Sequence, residues 1–299
     1  MHRILIMELD YVKLKEIKPS IAVYIRESQL LLKSSAIPNE KAVHNIRVLM
    51  KKSRALMKLI APQIVDPFFE RDVFDLREVG RILRSWRETS VERKTLKGFR
   101  KEYPQIFSEL HENEVLSKLL DKPGQTDKPT EEIKTTLEKI DSLLNKTSYR
   151  IRFQTMNNLD PQLLIKELEN TYSDVVNSYV NCRNNPKKAK LHKFRKIAKD
   201  FLYQLYVFRP LNPSVVKSLE KKLDNMTQNL GRYNDIAQII NDLGYKYKNK
   251  SNAAEMDELI IKFREAQDKY LARVWPAAYQ VFCPGQIFVN VLGFKLLVI

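Results

Sequence analysis

His44, Arg47, Lys51, Arg54 and Lys58 follow one another at alternating steps of three and four residues. At about 100° per residue, these side chains fall on one stripe that covers roughly a quarter of a helix. Val43, Ile46, Leu49, Met50, Met57 and Ile60 take the other side, so the spacing predicts an amphipathic helix with a basic face. A second copy lies about half a chain later. There Lys188, His192, Arg195 and Lys199 form a stripe that Tyr203 and Tyr206 extend, so His-x-x-Arg-x-x-x-Lys occurs at 44–47–51 and again at 192–195–199. The chemistry open to such rows is the binding of a polyanion. Each turn advances about 5.4 Å, which sets charge-assisted donors at repeating distances. Arginine offers a planar fork to phosphate oxygens, and lysine a compact point charge. A histidine at the same register of both rows either donates to phosphate while neutral or becomes cationic beside it. The plainer role for each is a histidine satisfied by local backbone or by a carboxylate.

Composition agrees with that chemistry. Of 299 residues 43% are hydrophobic and 29% charged, which suits a globular chain with a sizeable core. The formal net charge of +16 favours nucleic acid, an anionic membrane surface or a phosphate polymer as partner. That charge is gathered on particular helix faces instead of being scattered. Two cysteines, Cys182 and Cys283, stand at no metal-ligand or redox spacing, which fits a reducing compartment without a disulfide framework. The N-terminal apolar run is too short for a signal peptide, and no run approaches a membrane span. A cytoplasmic protein with no membrane partner is therefore expected.

The elements that position the stripes read as helices almost throughout. A first helix is expected over 14–33, with Pro19 in its first turn or at its start. Asn39 is the expected N-cap of the first basic helix, which should end near Ala61-Pro62. A long helix over about 68–103 carries Arg77, Arg81 and Arg84 at helical spacing, with Glu88 on the same line. Intrahelical ion pairs account for those arginines but leave Lys94, Lys97 and Lys101 without an acidic partner. A shorter helix is expected over 104–120, a loop over 121–130 and helices over 131–146 and 161–183. The second basic helix follows, then one capped by Asn212 or Ser214 that reaches Leu243. The last, over 253–282, should be kinked or interrupted at Trp275-Pro276.

The order repeats, and so does a second anchor: residues 83–88, LRSWRE, align with 230–235, LGRYND, an aromatic on an aromatic and an acid on an acid. The expected fold class is all-α, as two pseudo-two-fold-related four-helix bundles. Residues 1–282 would form one domain, with repeat A over about 10–148 and repeat B over about 158–282. The apolar tail, 283–299, could dock on the bundle, pair as a strand or touch a membrane.

The segments VHNIRVLMKKSRALMKL (43–59) and LHKFRKIAKDFLYQLYVF (191–208), each with its downstream partner at 83–88 or 230–235, resemble the signature segments of the CHAD family, the conserved histidine α-helical domain. The resemblance covers about 14–282. It implies a helical domain enclosing a basic central groove or pore that binds inorganic polyphosphate, in some members at polyphosphate granules. By motif position it implies a ligand-facing set of His44, Arg47, Lys51, Arg54, His192, Arg195 and Lys199. Lys58, Arg77, Arg81, Arg84, Lys188, Lys196 and Tyr203 complete the candidate polyphosphate-binding residues. This chain departs from the pattern at Asn45, where Asp is usual, at Leu202, where Arg is usual, and at Glu88, where Asp is usual. Those changes imply a second half of weaker grip or of different shape. No E-x-E-x-K segment of a triphosphate-tunnel domain is present, which argues against catalysis on triphosphates.

Other function classes compete. Nucleic-acid binding suits the charge, and Tyr203 and Tyr206 beside a basic stripe could stack on bases, but no helix-turn-helix, RRM or zinc signature accompanies them. A phosphohydrolase needs metal-holding carboxylates, a glycine-rich phosphate loop or an activated nucleophile. None is visible, and His2, His44, His111 and His192 have no ligand spacing, which leaves only a phosphohistidine route through His44. A helical adaptor for an acidic protein is the third class. The expectation is a polyanion-binding protein, not an enzyme, with no cofactor or metal.

Overall fold

Seven glycines in 299 residues and apolar side chains at helical spacing leave little room for any structure but helix. The computed structural model describes residues 2–65, 67, 69–110, 113–121, 130–154, 156, 159–210, 212–246 and 253–292, without the side chains of 2–16, 114–115, 130, 244–246 and 253. Among these, the helices are α1 (His2–Leu32), α2 (Glu40–Ile60), α3 (Phe69–Glu102), α4 (Pro104–Glu109), α5 (Glu114–Leu120) and α6 (Thr130–Phe153). The second half adds α7 (Pro161–Asn184), α8 (Lys188–Phe208), α9 (Pro213–Lys246), α10 (Ala253–Phe282) and α11 (Phe288–Leu292), and no strand occurs among the described residues.

Local chemistry sets several boundaries. Asn39 accepts the Ala42 amide at 2.9 Å and caps α2, which passes into a single 3-10 turn at Ala61–Gln63. Asp160 accepts the Gln162 amide at 2.8 Å ahead of Pro161 in the first turn of α7. Asn212, one of the two expected caps of α9, accepts the Val215 amide at 3.5 Å.

Four expectations need correction. The first helix begins at His2, and Pro19 lies inside it. An internal proline costs about 3 kcal/mol, but Ile17, Ile21 and Ile25 are all buried around it, and tertiary packing overrides the local penalty. For the same reason α10 runs through Pro276, which corrects the expected interruption though not the expected kink: Val274, Ala278, Val281 and Phe282 on both sides of it are buried. The segment 104–120 is two helices, because the Asn113 side chain accepts the Leu116 amide at 3.1 Å and starts α5 afresh. The helix expected over 131–146 continues to Phe153, where Arg150 is held by partners on α3. The loop expected at 121–130 lies almost wholly outside the described residues.

Contacts sort the long helices into two sets of four. In one, α2 lies against α1 and α3, and α6 closes against both; in the other, α8 lies against α7 and α9, and α10 closes against both. The sets meet where α2 packs on α8 and α3 on α9. One hydrophobic core spans the two sets, from Ile17 on α1 to Leu292 on α11. Gln204 on α8 donates to the Ala55 carbonyl of α2 at 3.2 Å inside it. A separate core joins the far end of α3 to α4, α5, α9 and α10 through Leu96, Phe99, Ile239 and Phe263. Of the three fates open to the tail, its described part takes the first: Phe288 and Leu292 are buried, and Phe288 meets the Tyr172 ring at 5.3 Å.

Arg150 ties α6 to α3. Its guanidinium contacts Asp72 and Asp75 at 2.5 Å each, and Asp72 is 0% exposed. Removing the cation from a buried pair costs more than the pair contributes, because the remaining charge stays desolvated. Arg150→Ala is expected to destabilise the chain by about 3–5 kcal/mol, read as a lowered urea midpoint; an unchanged midpoint would show the pair to be dispensable.

Candidate polyanion-binding site

The basic faces of α2 and α8 are directed by the apolar faces behind them. Val43, Ile46, Met50 and Met57 on α2, and Leu191, Phe194, Ala198 and Phe201 on α8, are buried. Burying those residues turns each stripe toward the space between the sets, where α3 and α9 form the other walls. Two cavities occupy that space. The wider, about 700 Å³, is lined by His44, Arg47, Lys51, Arg84, Arg87, Glu88, Glu92, Lys188, His192, Arg195, Asn234, Asp235 and Gln238, with Val48, Val91, Ala189 and Gly231. The narrower, about 300 Å³, is lined by Arg47, Met50, Lys51, Arg54, Arg77, Gly80, Arg81, Arg84, His192, Arg195, Lys196, Lys199 and Asp200. Arg47, Lys51, Arg84, His192 and Arg195 line both, so the two adjoin at these residues and together make up a channel.

The same hydrogen bond anchors the central arginine of each stripe. Arg47 donates to the Gly80 carbonyl on α3, and Arg195 donates to the Thr227 carbonyl on α9 at 3.0 Å. Gly80 and Thr227 each stand three residues before the aligned leucines, Leu83 and Leu230. Arg195 also lies flat on α9: a Cβ at Gly231 would stand 3.0 Å from its Nη2. A side chain there would be in tight contact with the guanidinium, which would have to give by a few tenths of an ångström.

The remaining cations differ in their partners. Lys199 pairs with Asp224 at 2.9 Å, Lys58 with Asp200 at 2.5 Å, and Arg84 with Glu88 at 2.6 Å. Arg81 is held by Glu78 at 2.7 Å, and Lys94, expected to lack an acid, pairs with Glu40 of α2. Lys51 has no carboxylate partner among the described residues. Burial first, then Arg195, Arg47, Lys199 and Arg54, lower its pKa from 10.5 to about 7. His44 and His192 have no hydrogen-bond partner among the described residues, so neither the backbone nor a carboxylate satisfies them there. Desolvation leads in holding both below the ordinary histidine value, followed for His44 by Arg87 and Lys51, and for His192 by Arg195 and Arg84. Asp235 moves the other way: desolvation raises its pKa against the pull of Arg195 and Arg87.

Two candidate residues line neither cavity. Lys58 is turned to Asp200, and Tyr203 is 5% exposed, with Lys199 over its ring at 5.6 Å. Tyr206 packs on Tyr203 and is flanked by Lys52 and Arg209 at 5.4 and 5.2 Å. Leu202 is 1% exposed in the core, whereas its counterpart Arg54 lines the narrow cavity. Sequence reading did not single out Arg87, Glu92, Asn234 or Gln238. Arg87 was within reach, one helical step beyond Arg84; the others lie outside the basic pattern and enter the channel only through packing.

Residues 27–240 match the CHAD domain family. The chain belongs to that family. The fold also resembles the crystal structure of the CHAD domain from the plant Ricinus communis, with a TM-score of 0.53, 16% identity, and coverage of 95% of this chain and 91% of that one. No curated protein matches. The CHAD family is associated in general with polyphosphate binding. No described helix of this CHAD domain is long and apolar enough to cross a membrane.

The Lys51 shift also bears on stability. Its folded pKa of about 7 lies below the ordinary 10.5, so between those values the unfolded chain holds more protons. Stability contributed by this group therefore rises with pH across that window, and the cost of its charge is greatest below it. Lys51→Met is expected to stabilise the domain by about 1–4 kcal/mol near pH 6 and by less near pH 9, measured by thermal unfolding. A loss of stability at both would mean that the lysine is a structural contact.

Proposed function

We propose that this CHAD domain binds inorganic polyphosphate along the channel between α2, α3, α8 and α9. The observation that carries the reading is Lys51, which among the described residues has no carboxylate partner and is set beside Arg47 and Arg195 where the two stripes meet. Cations so placed repel one another, and a polyanion relieves that repulsion along its whole length. Polyphosphate has no bases to read and is recognised by repeated charge-assisted hydrogen bonds, for which Arg47, Lys51, Arg54, Arg84 and Arg195 supply successive donors. The burial of Tyr203 favours polyphosphate over single-stranded nucleic acid, since a ring used for stacking must be open to a base. The role is binding without turnover, and it would suit retention at polyphosphate granules.

Isothermal titration with polyphosphates of graded length tests the reading. Affinity should rise with length, and log affinity should fall with log salt at a slope of about −4 if about six phosphates are engaged, by analogy with single-stranded nucleic acid. Long polyphosphate should displace an oligonucleotide far better than the reverse. Length-independent binding, easy displacement by oligonucleotide, or release of phosphate over time would each overturn a part of the proposal.

Proton uptake gives a second readout. Bound phosphate favours the charged forms of Lys51, His44 and His192 and so raises their pKa values. Because Lys51 is only half charged near pH 7 in the free domain and loses its charge above it, affinity should weaken as pH rises beyond that point. The histidines, held below their ordinary value in the free domain chiefly by desolvation, should add a further gain as pH falls. Titrations near pH 8 in buffers of different ionisation enthalpy should show protons taken up on binding, and Lys51→Met should abolish most of that uptake. A pH-independent affinity would contradict this account.

A further inference from the structure

The wide part of the channel is lined unevenly. On α3 it carries Arg84 and Arg87; the aligned positions on α9 are Gly231 and Asn234. At these places the second repeat thus carries a glycine overlain by the Arg195 guanidinium and a neutral amide, where the first has two guanidiniums. Both Asn234 atoms, Nδ2 and Oδ1, are buried and have no hydrogen-bond partner among the described residues. A buried amide left in that state is costly, and the cost is recovered when a ligand presents an acceptor and a donor together. Gln238, one turn further on, is already engaged: its carbonyl accepts from Lys188 at 3.3 Å, and its amide donates to Asp242 at 2.9 Å.

Next to Asn234 stands Asp235, whose carboxylate repels phosphate. Val48, Val91 and Ala189 add apolar surface of a kind that phosphate does not use. The cations shared with the narrow limb stay at the junction. The chamber therefore joins a phosphate-holding end to a partly apolar wall with one unsatisfied donor–acceptor pair. Its volume of about 700 Å³ lies in the range of small-molecule sites.

We infer that the wide chamber accepts a nucleoside, so that the domain binds nucleoside polyphosphates with their phosphates on Arg47, Lys51 and Arg195 and the base against α9. An amide side chain pairs with the N6 and N7 positions of adenine in two hydrogen bonds, which makes adenine the favoured base. This inference rests on the phosphate reading of the channel.

Isothermal titration of the full chain with inorganic tripolyphosphate, ATP and CTP at matched ionic strength tests it. ATP should bind about tenfold tighter than tripolyphosphate, on the scale of one bidentate pair, with CTP between them. Asn234→Leu should bring ATP down to the tripolyphosphate level while leaving tripolyphosphate within about twofold. Asn234→Arg, which restores the residue of the first repeat, should instead strengthen tripolyphosphate and weaken ATP. Circular dichroism of each variant separates these effects from loss of fold. ATP binding no tighter than tripolyphosphate in the unsubstituted chain, or losses of equal size for both ligands in a folded Asn234→Leu, would overturn the nucleoside site alone. Absence of binding by all three ligands, and by long polyphosphate, would overturn the phosphate reading as well.

Discussion

Like charges gathered in a confined space repel one another, and the rest of this fold is arranged around holding them there. Lys51 lies between Arg47 and Arg195 at the junction of two cavities, with its pKa lowered to about 7. Nothing local to α2 would keep it in that position. The opposing force is the burial of apolar surface behind each stripe: Ile46 and Met50 behind Arg47, and Phe194 and Ala198 behind Arg195. Apolar burial contributes about 25 cal/mol per Å², so a few such side chains offset several kcal/mol of repulsion. The hydrophobic core that runs through both four-helix sets is thus what brings the cations face to face.

Two hydrogen bonds turn that general force into a defined site. Arg47 donates to Gly80 on α3, and Arg195 donates to Thr227 on α9, so each stripe is pinned to the helix that follows it at equivalent places. A guanidinium carries five donors, and one spent on a backbone carbonyl leaves others free for a ligand while fixing the plane of the fork. The second core, from Leu96 and Phe99 to Ile239 and Phe263, holds the far ends of α3 and α9 together beyond the wide chamber.

The two repeats share this anchor and then diverge. Arg54 lines the narrow cavity, while its counterpart Leu202 is buried; Arg84 and Arg87 face the wide cavity, where their counterparts are Gly231 and Asn234. Lys199 spends its charge on Asp224, whereas Lys51 has no such partner among the described residues. Cationic density therefore belongs mainly to the first repeat, and the second contributes shape, an amide and a desolvated carboxylate. The channel is thus two-sided in its chemistry.

The helical fold, the two basic stripes and their shared register were legible in the sequence, because periodicity of about 3.6 residues is a local property that each helix carries by itself. The cap at Asn39 was legible for the same reason. Matters that depended on distant residues were not. Pro19 and Pro276 stay inside helices because packing on neighbouring helices outweighs the penalty that proline imposes locally. Lys94 meets Glu40, and Lys58 meets Asp200, across separations of 54 and 142 residues that no helical wheel displays. Tyr203 extends the second stripe on a wheel yet is buried, because α8 is covered on more than one face. By itself the sequence determined that basic helix faces would exist and would come in pairs. Only the tertiary structure decided which of their charges line a shared cavity and which are spent on a carboxylate, since that depends on contacts between helices far apart in the chain.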